Sequence, residues 1–183
     1  MKALALSVLL VIGAIDTYAQ ENVNLVKNPG FENCKSSDET GCVFIDWATS
    51  PHNFGNANAD ETVKESGKTS LIIHSVKKDK HSIVQVIDLV PGKTYEFSGV
   101  IRTEGKSSGK PGLACIGIWS RSLSRTLSVL EEKNPNSGKF KRYSARFTVP
   151  EGSTENALSC NLSFGTDKAW FDDISIVECQ SGK

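Results

Sequence analysis

Residues 83–103 of this chain read IVQVIDLVPGKTYEFSGVIRT, and their pattern decides the fold class. Apolar residues alternate with other residues on both sides of Pro91-Gly92, which is the period expected of strands that bury one face. Proline fixes φ and glycine tolerates a positive φ, so this dipeptide indicates a tight turn. The stretch therefore predicts two successive β-strands, Ile83–Leu89 and Thr94–Thr103, joined by that turn.

The same pattern recurs along most of the chain. It predicts six further strands, which are Leu25–Lys27, Thr69–His74, Leu113–Arg121, Lys139–Val149, Ala157–Phe164 and Trp170–Val177. Ser120–Lys133 is ambiguous, and we interpret it as a strand followed by a loop rather than as a short helix. So many short strands need two sheets packed face to face. The expected fold is therefore an all-β jelly-roll β-sandwich of two antiparallel sheets.

The N-terminus has the pattern of an export signal. Lys2 is followed by the apolar run Ala3–Ala14, and small residues stand at Thr17 and Ala19, before the expected cleavage site. The run is shorter than the ~20 residues that span a bilayer, so we expect no membrane insertion. We predict a signal peptide over residues 1–19 and a single domain over residues 20–183. The expected location is extracellular, or periplasmic in a Gram-negative bacterium.

The charge balance and the cysteines limit the function classes. With 21 basic and 21 acidic side chains and no basic stripe, nothing indicates a nucleic-acid partner, and a neutral ligand suits the chain best. All five cysteines follow the predicted signal peptide, where an oxidising compartment favours pairing. Because five is odd, one thiol stays unpaired or pairs with another chain. The wide spacing without a C-x-x-C motif argues against zinc.

Five segments in this order resemble the carbohydrate-binding modules of the family 4/9 type, within the galactose-binding-like jelly rolls. They are NLVKNPGFE (24–32), ESGKTSLII (65–73), VQVIDLVPGKTYEFSGVIRTEG (84–105), FKRYSARFTVPEGSTENALSCNLSFG (140–165) and AWFDDISIVE (169–178). The combination of N-P-G-F-E near the N-terminus with F-D-D-I at the end is the most specific part. The resemblance implies a β-sandwich that binds polysaccharide, usually with one structural calcium ion.

The resemblance also implies a ligand set for that calcium ion. Carried over to this chain, the ligands are the acidic residues Glu32 and Glu65, the backbone carbonyl of Lys68, and Asp172, with Asp173 as the alternative to Asp172. Calcium takes ~6–8 oxygen ligands, and clustered carboxylates without a cation raise each other's pKa. The expected role is structural, since the ion would tie both chain ends to one loop. The alternative is that these acids cap surface turns.

Modules of this type bind sugar on one sheet face. By the jelly-roll order, the strand around residues 84–87 lies beside Ala157–Phe164, which lies beside Leu113–Trp119. Outward side chains there would form the platform. The predicted polysaccharide contacts are Trp119, Asn161, Gln85, Arg121 and Trp47. For Trp47, which would wall the cleft, a position in the core is the favoured alternative.

Strand alternation leaves the face of Trp119 open. Ala114, Ile116 and Ile118 form one face of its strand, and Leu113, Cys115, Gly117 and Trp119 form the other. Either set of side chains is apolar enough to face the core. The choice decides whether Trp119 contacts a ligand or packs inside.

The cysteines bear on the same question. Cys34 and Cys42 bracket a polar loop and predict a local disulfide. Cys115 and Cys160 lie on strands placed side by side, and a second disulfide there needs both thiols on one face. The neighbours of Cys160 indicate that it faces the core, which would turn Cys115 and Trp119 inward and conflict with a sugar platform. Cys179, past the last strand, is the expected odd thiol and a candidate link to a partner chain.

The sequence favours binding over catalysis. The three histidines, His52, His74 and His81, show no zinc or triad spacing, and no H-E-x-x-H motif occurs. We predict a secreted non-catalytic carbohydrate-binding module. The chain has only three Trp and three Tyr, so it offers few aromatic rings on which a sugar could stack. An extracellular adhesion or matrix protein without a sugar site is therefore the main alternative. A small polysaccharide-active enzyme is the less favoured one.

Overall fold

A computed structural model describes residues 23–37, 41–49, 56–75, 81–105, 113–163 and 167–180. Within these ranges every regular element is a β-strand. None of the described residues belongs to a helix with the length and hydrophobicity that crossing a membrane requires. The predicted signal peptide, His52 and Phe164 lie outside the described residues.

The described strands are numbered in chain order. They are β1 (Cys34–Ser37), β2 (Gly41–Phe44), β3 (Ala48–Thr49), β4 (Ala57–Asp60), β5 (Ser70–His74), β6 (His81–Ile87), β7 (Thr94–Glu104), β8 (Leu113–Ser120), β9 (Arg125–Glu132), β10 (Lys141–Thr148), β11 (Asn156–Ser163) and β12 (Lys168–Glu178).

Two five-stranded antiparallel sheets make the sandwich. The front sheet has the order β3-β6-β11-β8-β9, and the back sheet has the order β10-β7-β12-β5-β4. Strands β1 and β2 form a separate hairpin. The predicted all-β jelly-roll sandwich is confirmed, and so is the predicted neighbourhood of β6, β11 and β8.

The core lies between the two sheets and is rich in aromatic rings. Five of its aromatic side chains are Phe31, Tyr95, Phe97, Phe147 and Phe171, which are all buried. The rings of Tyr95 and Phe147 stack with centroids 5.9 Å apart, and Phe97 meets Phe147 edge-on at 6.5 Å. Rings at these distances interact favourably beyond their burial. The core therefore fixes which face of each strand remains for the solvent.

The predicted strand Leu25–Lys27 is wrong. The N–H of Leu25 donates to the carbonyl of Ile176 at 2.9 Å, so the segment does lie beside β12. The next two N–H groups bond to side chains instead: Val26 to Asn24 Oδ1 at 3.1 Å and Lys27 to Gln85 Oε1 at 2.9 Å. Because only the N–H of Leu25 bonds to the backbone of β12, the segment does not form the continuous row of backbone hydrogen bonds that defines a strand.

The ambiguous segment Ser120–Lys133 contains a turn and then a strand, in place of the expected strand and loop. Residues 121–124 form the turn, in which Ser124 has a φ of 49°. Strand β9 follows and pairs with β8. The helical alternative is wrong, and the hairpin gives the front sheet its edge strand.

One of the two predicted disulfides is present. Cys34 and Cys42 are bonded across the β1–β2 hairpin, with their Cα atoms 5.9 Å apart. The predicted Cys115–Cys160 bond is wrong, because the register pairs Cys160 with Ile116 and Cys115 with Asn161. Residues paired directly across two strands share a face, so Cys160 points into the core and Cys115 points outward.

A buried carboxylate joins the two sheets at their edges. Glu132 on β9 is 4% exposed and accepts hydrogen bonds from the Tyr143 hydroxyl and the Asn134 N–H, both at 2.8 Å. Its Oε2 also lies 2.8 Å from Lys141 Nζ on β10. Burial alone would raise the pKa of Glu132, but the bonds from Lys141, Asn134 and Tyr143 outweigh burial and hold the pKa below its ordinary value.

Replacing this carboxylate is expected to weaken the sandwich in a pH-dependent way. Because the pKa of Glu132 is lowered on folding, its stabilisation is present above the unfolded value of 4.5 and is lost as the pH falls through the folded value. Glu132→Gln should cost about 1.5–3 kcal/mol of unfolding free energy at neutral pH, measured by urea unfolding, and the difference from the wild type should close in acid.

The neighbouring Glu131 provides the control for this experiment. Its carboxylate is only partly buried and pairs with Lys133 at 3.5 Å. Glu131→Gln should therefore change the unfolding free energy by less than about 1 kcal/mol. A Glu132→Gln cost that matches that of Glu131→Gln, or that stays constant down to about pH 3, would contradict the assigned role of Glu132.

Candidate carbohydrate-binding face

The alternation of β8 fixes the outward face of the front sheet. Ala114, Ile116 and Ile118 are each 0% exposed and point into the core. The intervening Gly117 and Trp119 therefore point away from the core. Trp119 is 44% exposed, so the question that its sequence position left open is decided in favour of the outward face.

The register of the front sheet arranges its outward side chains in rows that cross the strands. The first row consists of Val86, Ala157, Trp119 and Thr126. The second row consists of Val84, Ser159, Gly117 and Val129. The third row consists of Ser82, Asn161, Cys115 and Glu131.

All of these residues except Val86 and Glu131 line an open cavity of about 480 Å³, here called the Trp119 cavity. Gly117 forms its floor, because a Cβ built there has its nearest neighbours, Ser159 Oγ and Val129 Cγ2, at 3.9 Å. The missing side chain leaves a depression beside the indole of Trp119. The volume lies in the ~300–1,000 Å³ range of small-ligand sites.

The structure places two of the predicted contacts together in this cavity. Trp119 and Asn161 both line it, and Asn161 Nδ2 donates to Ser159 Oγ at 2.8 Å. Arg121 lies in the turn after β8 instead, where its guanidinium stands 3.6 Å from the carboxylate of Glu155 and is largely exposed. Arg121 is not among the cavity-lining residues of the described part of the chain.

Gln85 does not point outward, as the sequence led us to expect. It lies on the core-facing side of β6 with Ile83 and Ile87 and is 4% exposed. Its amide bonds to the backbone: Oε1 accepts from Lys27 N–H at 2.9 Å, and Nε2 donates to the carbonyls of Lys27 at 2.8 Å and Asp46 at 3.1 Å. Because these bonds use both the oxygen and the nitrogen of the amide, Gln85 holds neighbouring backbone segments and does not belong to the predicted sugar-binding platform.

Trp47 occupies the core position that was its favoured alternative. It is 6% exposed, its ring centroid lies 5.0 Å from that of Phe31, and its Nε1 donates to the carbonyl of Asn28 at 3.3 Å. It only borders a second cavity of about 430 Å³, here called the β3 cavity. Trp47 is therefore fixed by packing and does not offer a ring face as Trp119 does.

Sequence reasoning missed most of the residues that line the Trp119 cavity. Ser82, Val84, Thr126, Val129 and Ser159 belong to it. The available signal was positional, because residues two places from Trp119 or Asn161 on a strand share their face. To place Val84, Thr126 and Val129 in the cavity, one must also know how their strands pair with β11 and β8, and a single sequence does not give these pairings.

The predicted calcium ligands are grouped around residues 65–68. Asp172 is 0% exposed, and its Oδ2 accepts from the N–H groups of Glu65 at 3.0 Å and Ser66 at 3.2 Å. Glu32 Oε2 accepts from the N–H of Lys68 at 2.9 Å. Asp173 also contacts this loop, since its Oδ1 accepts from the Ser66 hydroxyl at 2.6 Å, while its Oδ2 accepts from Arg142 Nη2 at 3.1 Å. Of the two, Asp172 is the one whose carboxylate lies with that of Glu32 beside Gly30.

Two glycines make room for these carboxylates. A Cβ on Gly30 would stand 3.4 Å from both Asp172 Oδ1 and Glu32 Oε1, and one on Gly67 would overlap Glu32 Oε1 at 1.8 Å. Burial raises the pKa of Asp172 to about 6, in spite of the N–H groups that it accepts. Among the described residues, no three His, Cys, Asp or Glu side chains form a metal-holding group, so a cation here would also need backbone oxygens.

A family profile described as "Carbohydrate binding domain" matches residues 23–166. The chain belongs to this family. The match covers the front sheet, including Trp119 and Asn161, and it supports a carbohydrate-binding role. A search of curated proteins found no match.

Solved structures agree with the fold at low sequence identity. TmCBM61 in complex with β-1,4-galactotriose has a TM-score of 0.60 at 15% identity over 86% of this chain and 99% of that one. The CBM22-1 xylan-binding domain of Paenibacillus barcinonensis Xyn10C has a TM-score of 0.58 at 13% identity over 90% and 99%.

A third relative is a domain of a larger protein. The enzymatically active domain of tailspike protein 4 from bacteriophage CBA120 has a TM-score of 0.60 at 16% identity over 85% of this chain. This chain spans only 21% of that structure's length. At such identities the likeness concerns the fold, and the carbohydrate-binding domain of this chain must be understood from its own side chains.

Proposed function

We propose that this chain is a secreted, non-catalytic module that binds polysaccharide in the Trp119 cavity. The observation that carries the proposal is the half-exposed indole of Trp119, held outward by the buried residues on either side of it. A large aromatic ring with one apolar face and a polar edge is favoured where a ligand covers the ring and leaves its rim wet. The C–H face of a sugar ring is such a ligand.

The polar groups around the indole fit the rest of a sugar. Hydroxyls of Ser82, Thr126 and Ser159 and the amide of Asn161 line the cavity. Hydroxyl and amide groups both donate and accept hydrogen bonds, which matches the hydroxyl groups of a neutral saccharide. Glycoside hydrolysis works instead with two carboxylates placed on either side of the scissile bond. The lining therefore supports binding over cleavage.

Secretion is part of the same proposal. It is supported by the export pattern of residues 1–19 and by the Cys34–Cys42 disulfide, because disulfides persist in oxidising compartments. Cys179 is not in a disulfide in this structure, and a covalent partner through it remains a prediction.

Replacing Trp119 tests the proposed site. Trp119→Ala should weaken binding by about 2 kcal/mol or more, or roughly thirtyfold in Kd, because it removes the aromatic anchor. Binding is measured by affinity electrophoresis in gels containing xylan or β-1,4-galactan, the polymers that correspond to the ligands of two structural relatives.

Val90→Ala is the control, since Val90 is 53% exposed but lies outside the Trp119 cavity. It should leave retardation unchanged, and circular dichroism should show both variants folded. Equal retardation of Trp119→Ala and wild type would remove Trp119 from the site. A wild type that no neutral polysaccharide retards would favour the adhesion alternative.

We further propose that Glu32 and Asp172 hold a structural calcium ion together with backbone oxygens of residues 65–68. The approach of carboxylate oxygens of both Glu32 and Asp172 to Gly30, and the burial that raises the pKa of Asp172, support a cation at this position. The ion would supply positive charge between carboxylates from the two ends of the domain. Glu65 donates its N–H to Asp172, so its side chain is the least supported member of the predicted set.

Removing calcium should lower the melting temperature of the wild type. A ligand at a hundred times its Kd stabilises the folded state by about 2.7 kcal/mol, which for a domain of this size corresponds to roughly 5–10 °C. We expect EDTA to produce this loss and added calcium, but not magnesium, to reverse it. Glu32→Gln should have a low melting temperature that EDTA no longer changes. A wild-type melting temperature that is insensitive to EDTA would contradict the calcium site.

A further inference from the structure

Gly117 is the residue of the front sheet whose type the fold does not require. It lies inside β8, where glycine is less stable than alanine because it loses more conformational freedom on folding. Its φ is not in the left-handed region. A Cβ built there meets its nearest neighbours, Ser159 Oγ and Val129 Cγ2, at 3.9 Å, which is ordinary van der Waals contact. Neither the backbone conformation nor the packing therefore excludes a side chain at this position.

The β-bulge beside Gly117 does not require a glycine either. The extra residue of the bulge is Leu127 on β9, whereas Gly117 keeps Val129 as its regular partner. Interior strand glycines also occur where a ligand or another backbone comes close. The nearest backbone atom to a Cβ at position 117 is the carbonyl oxygen of Ser128, which is 4.0 Å away and belongs to the same sheet. The space above Gly117 is therefore open to a ligand.

Four side chains surround this space, here called the Gly117 pocket. Cys115 and Trp119 lie two positions away on β8, and Ser159 and Val129 lie opposite Gly117 on the two adjacent strands. All four line the Trp119 cavity. Residues two positions apart on a strand are ~6.6 Å apart, and adjacent strands are ~4.8 Å apart. The pocket therefore has the width of one missing side chain and takes a small group rather than a sugar ring.

The walls of the Gly117 pocket are mainly apolar. Val129 and Trp119 are both partly exposed and offer methyl groups and a ring, and a cysteine such as Cys115 packs as a small apolar side chain. The Ser159 hydroxyl donates to the Gly117 carbonyl at 3.4 Å and accepts from Asn161 Nδ2 at 2.8 Å. Because a hydroxyl has a single hydrogen, Ser159 has none left to donate to a ligand.

We propose that the Gly117 pocket takes a methyl group carried by the saccharide, so that the chain selects sugars with a methyl-ended substituent. Such a group is the C6 methyl of a 6-deoxy sugar or the methyl of an O-acetyl ester. The proposal rests on the proposed function, because the sugar ring itself lies against Trp119. The substituent points from that ring into the sheet, and Gly117 and Val129 determine the specificity. A hydroxyl in the same place would give up its hydrogen bonds to water for few new ones.

The test uses two pairs of probes that differ in the methyl-bearing group. L-Fucose and L-galactose differ only by a methyl against a hydroxymethyl group at C5. Acetylated xylotetraose and the same oligosaccharide after alkaline removal of its acetyl groups make the second pair. Kd is measured by NMR titration of the Trp119 indole and Gly117 amide signals. The methyl-bearing member of at least one pair should bind about tenfold more tightly, and the pair that shows this identifies the source of the methyl group.

Two variants assign this preference to the pocket. Gly117→Ala places a methyl group of the protein where that of the ligand would lie, and the room for a Cβ lets the variant fold. Val129→Thr replaces one wall methyl with a hydroxyl while keeping the shape of the side chain. Each should bring the two Kd values of the pair close together. Val90→Thr is the matched control, because it makes the same change at an exposed valine outside the Trp119 cavity and should keep the preference.

Three results would overturn the role of the Gly117 pocket. In the first, the wild type binds both members of each pair equally, so that the proposed function stands without this selectivity. In the second, the preference persists in both Gly117→Ala and Val129→Thr and must arise elsewhere. In the third, the wild type binds none of the four probes. If xylan and β-1,4-galactan gels then also fail to retard the wild type, the proposed function is contradicted as well.

Discussion

The register of β8 against β11 is the constraint on which the candidate site depends. Three consecutive alternate positions of β8 are filled by residues with 0% exposure, so the strand cannot slip by one position without moving them into solvent. That register places Trp119 on the outside and aligns it with Ala157 and Val86. It also separates Cys115 from Cys160, so the same pairing that exposes the indole rules out the disulfide that would have buried it.

Buried polar side chains then join segments that are distant in sequence. Gln85 connects β6 to the segment before β1 and to the turn after β2, Glu132 connects the edges of the two sheets, and Asp172 connects the last strand to residues 65–66. Each of these side chains has partners for its oxygen or nitrogen atoms, as buried polar groups require. The apolar core sets the sandwich, and these three contacts position the loops at its margins.

Much of the fold was accessible from the sequence, because alternation reports burial directly. The strands around residues 83–103, the order of β6, β11 and β8, and the Cys34–Cys42 bond were all predicted. The face of Trp119 was not, since both faces of β8 suit a core. Gln85 was misplaced because its partners lie 58 and 39 residues away, and alternation cannot tell a platform glutamine from one that binds backbone. The carbohydrate-binding family was recognised from its motifs. The residues that line the Trp119 cavity could be identified only once the pairing of β6, β11, β8 and β9 was known.

The central claim is that ligand binds over β8 on the front sheet and not on the back sheet, and the indole N–H signals test it most directly. In a ¹⁵N-labelled sample titrated with xylohexaose or a β-1,4-galacto-oligosaccharide, the Trp119 indole signal and the Gly117 amide signal should shift. The Trp170 indole signal should stay fixed, because Trp170 lies on the back sheet and its N–H donates to Asp60. Shifts confined to Trp170, on the back sheet, or no shift at Trp119 with either saccharide, would contradict the claim.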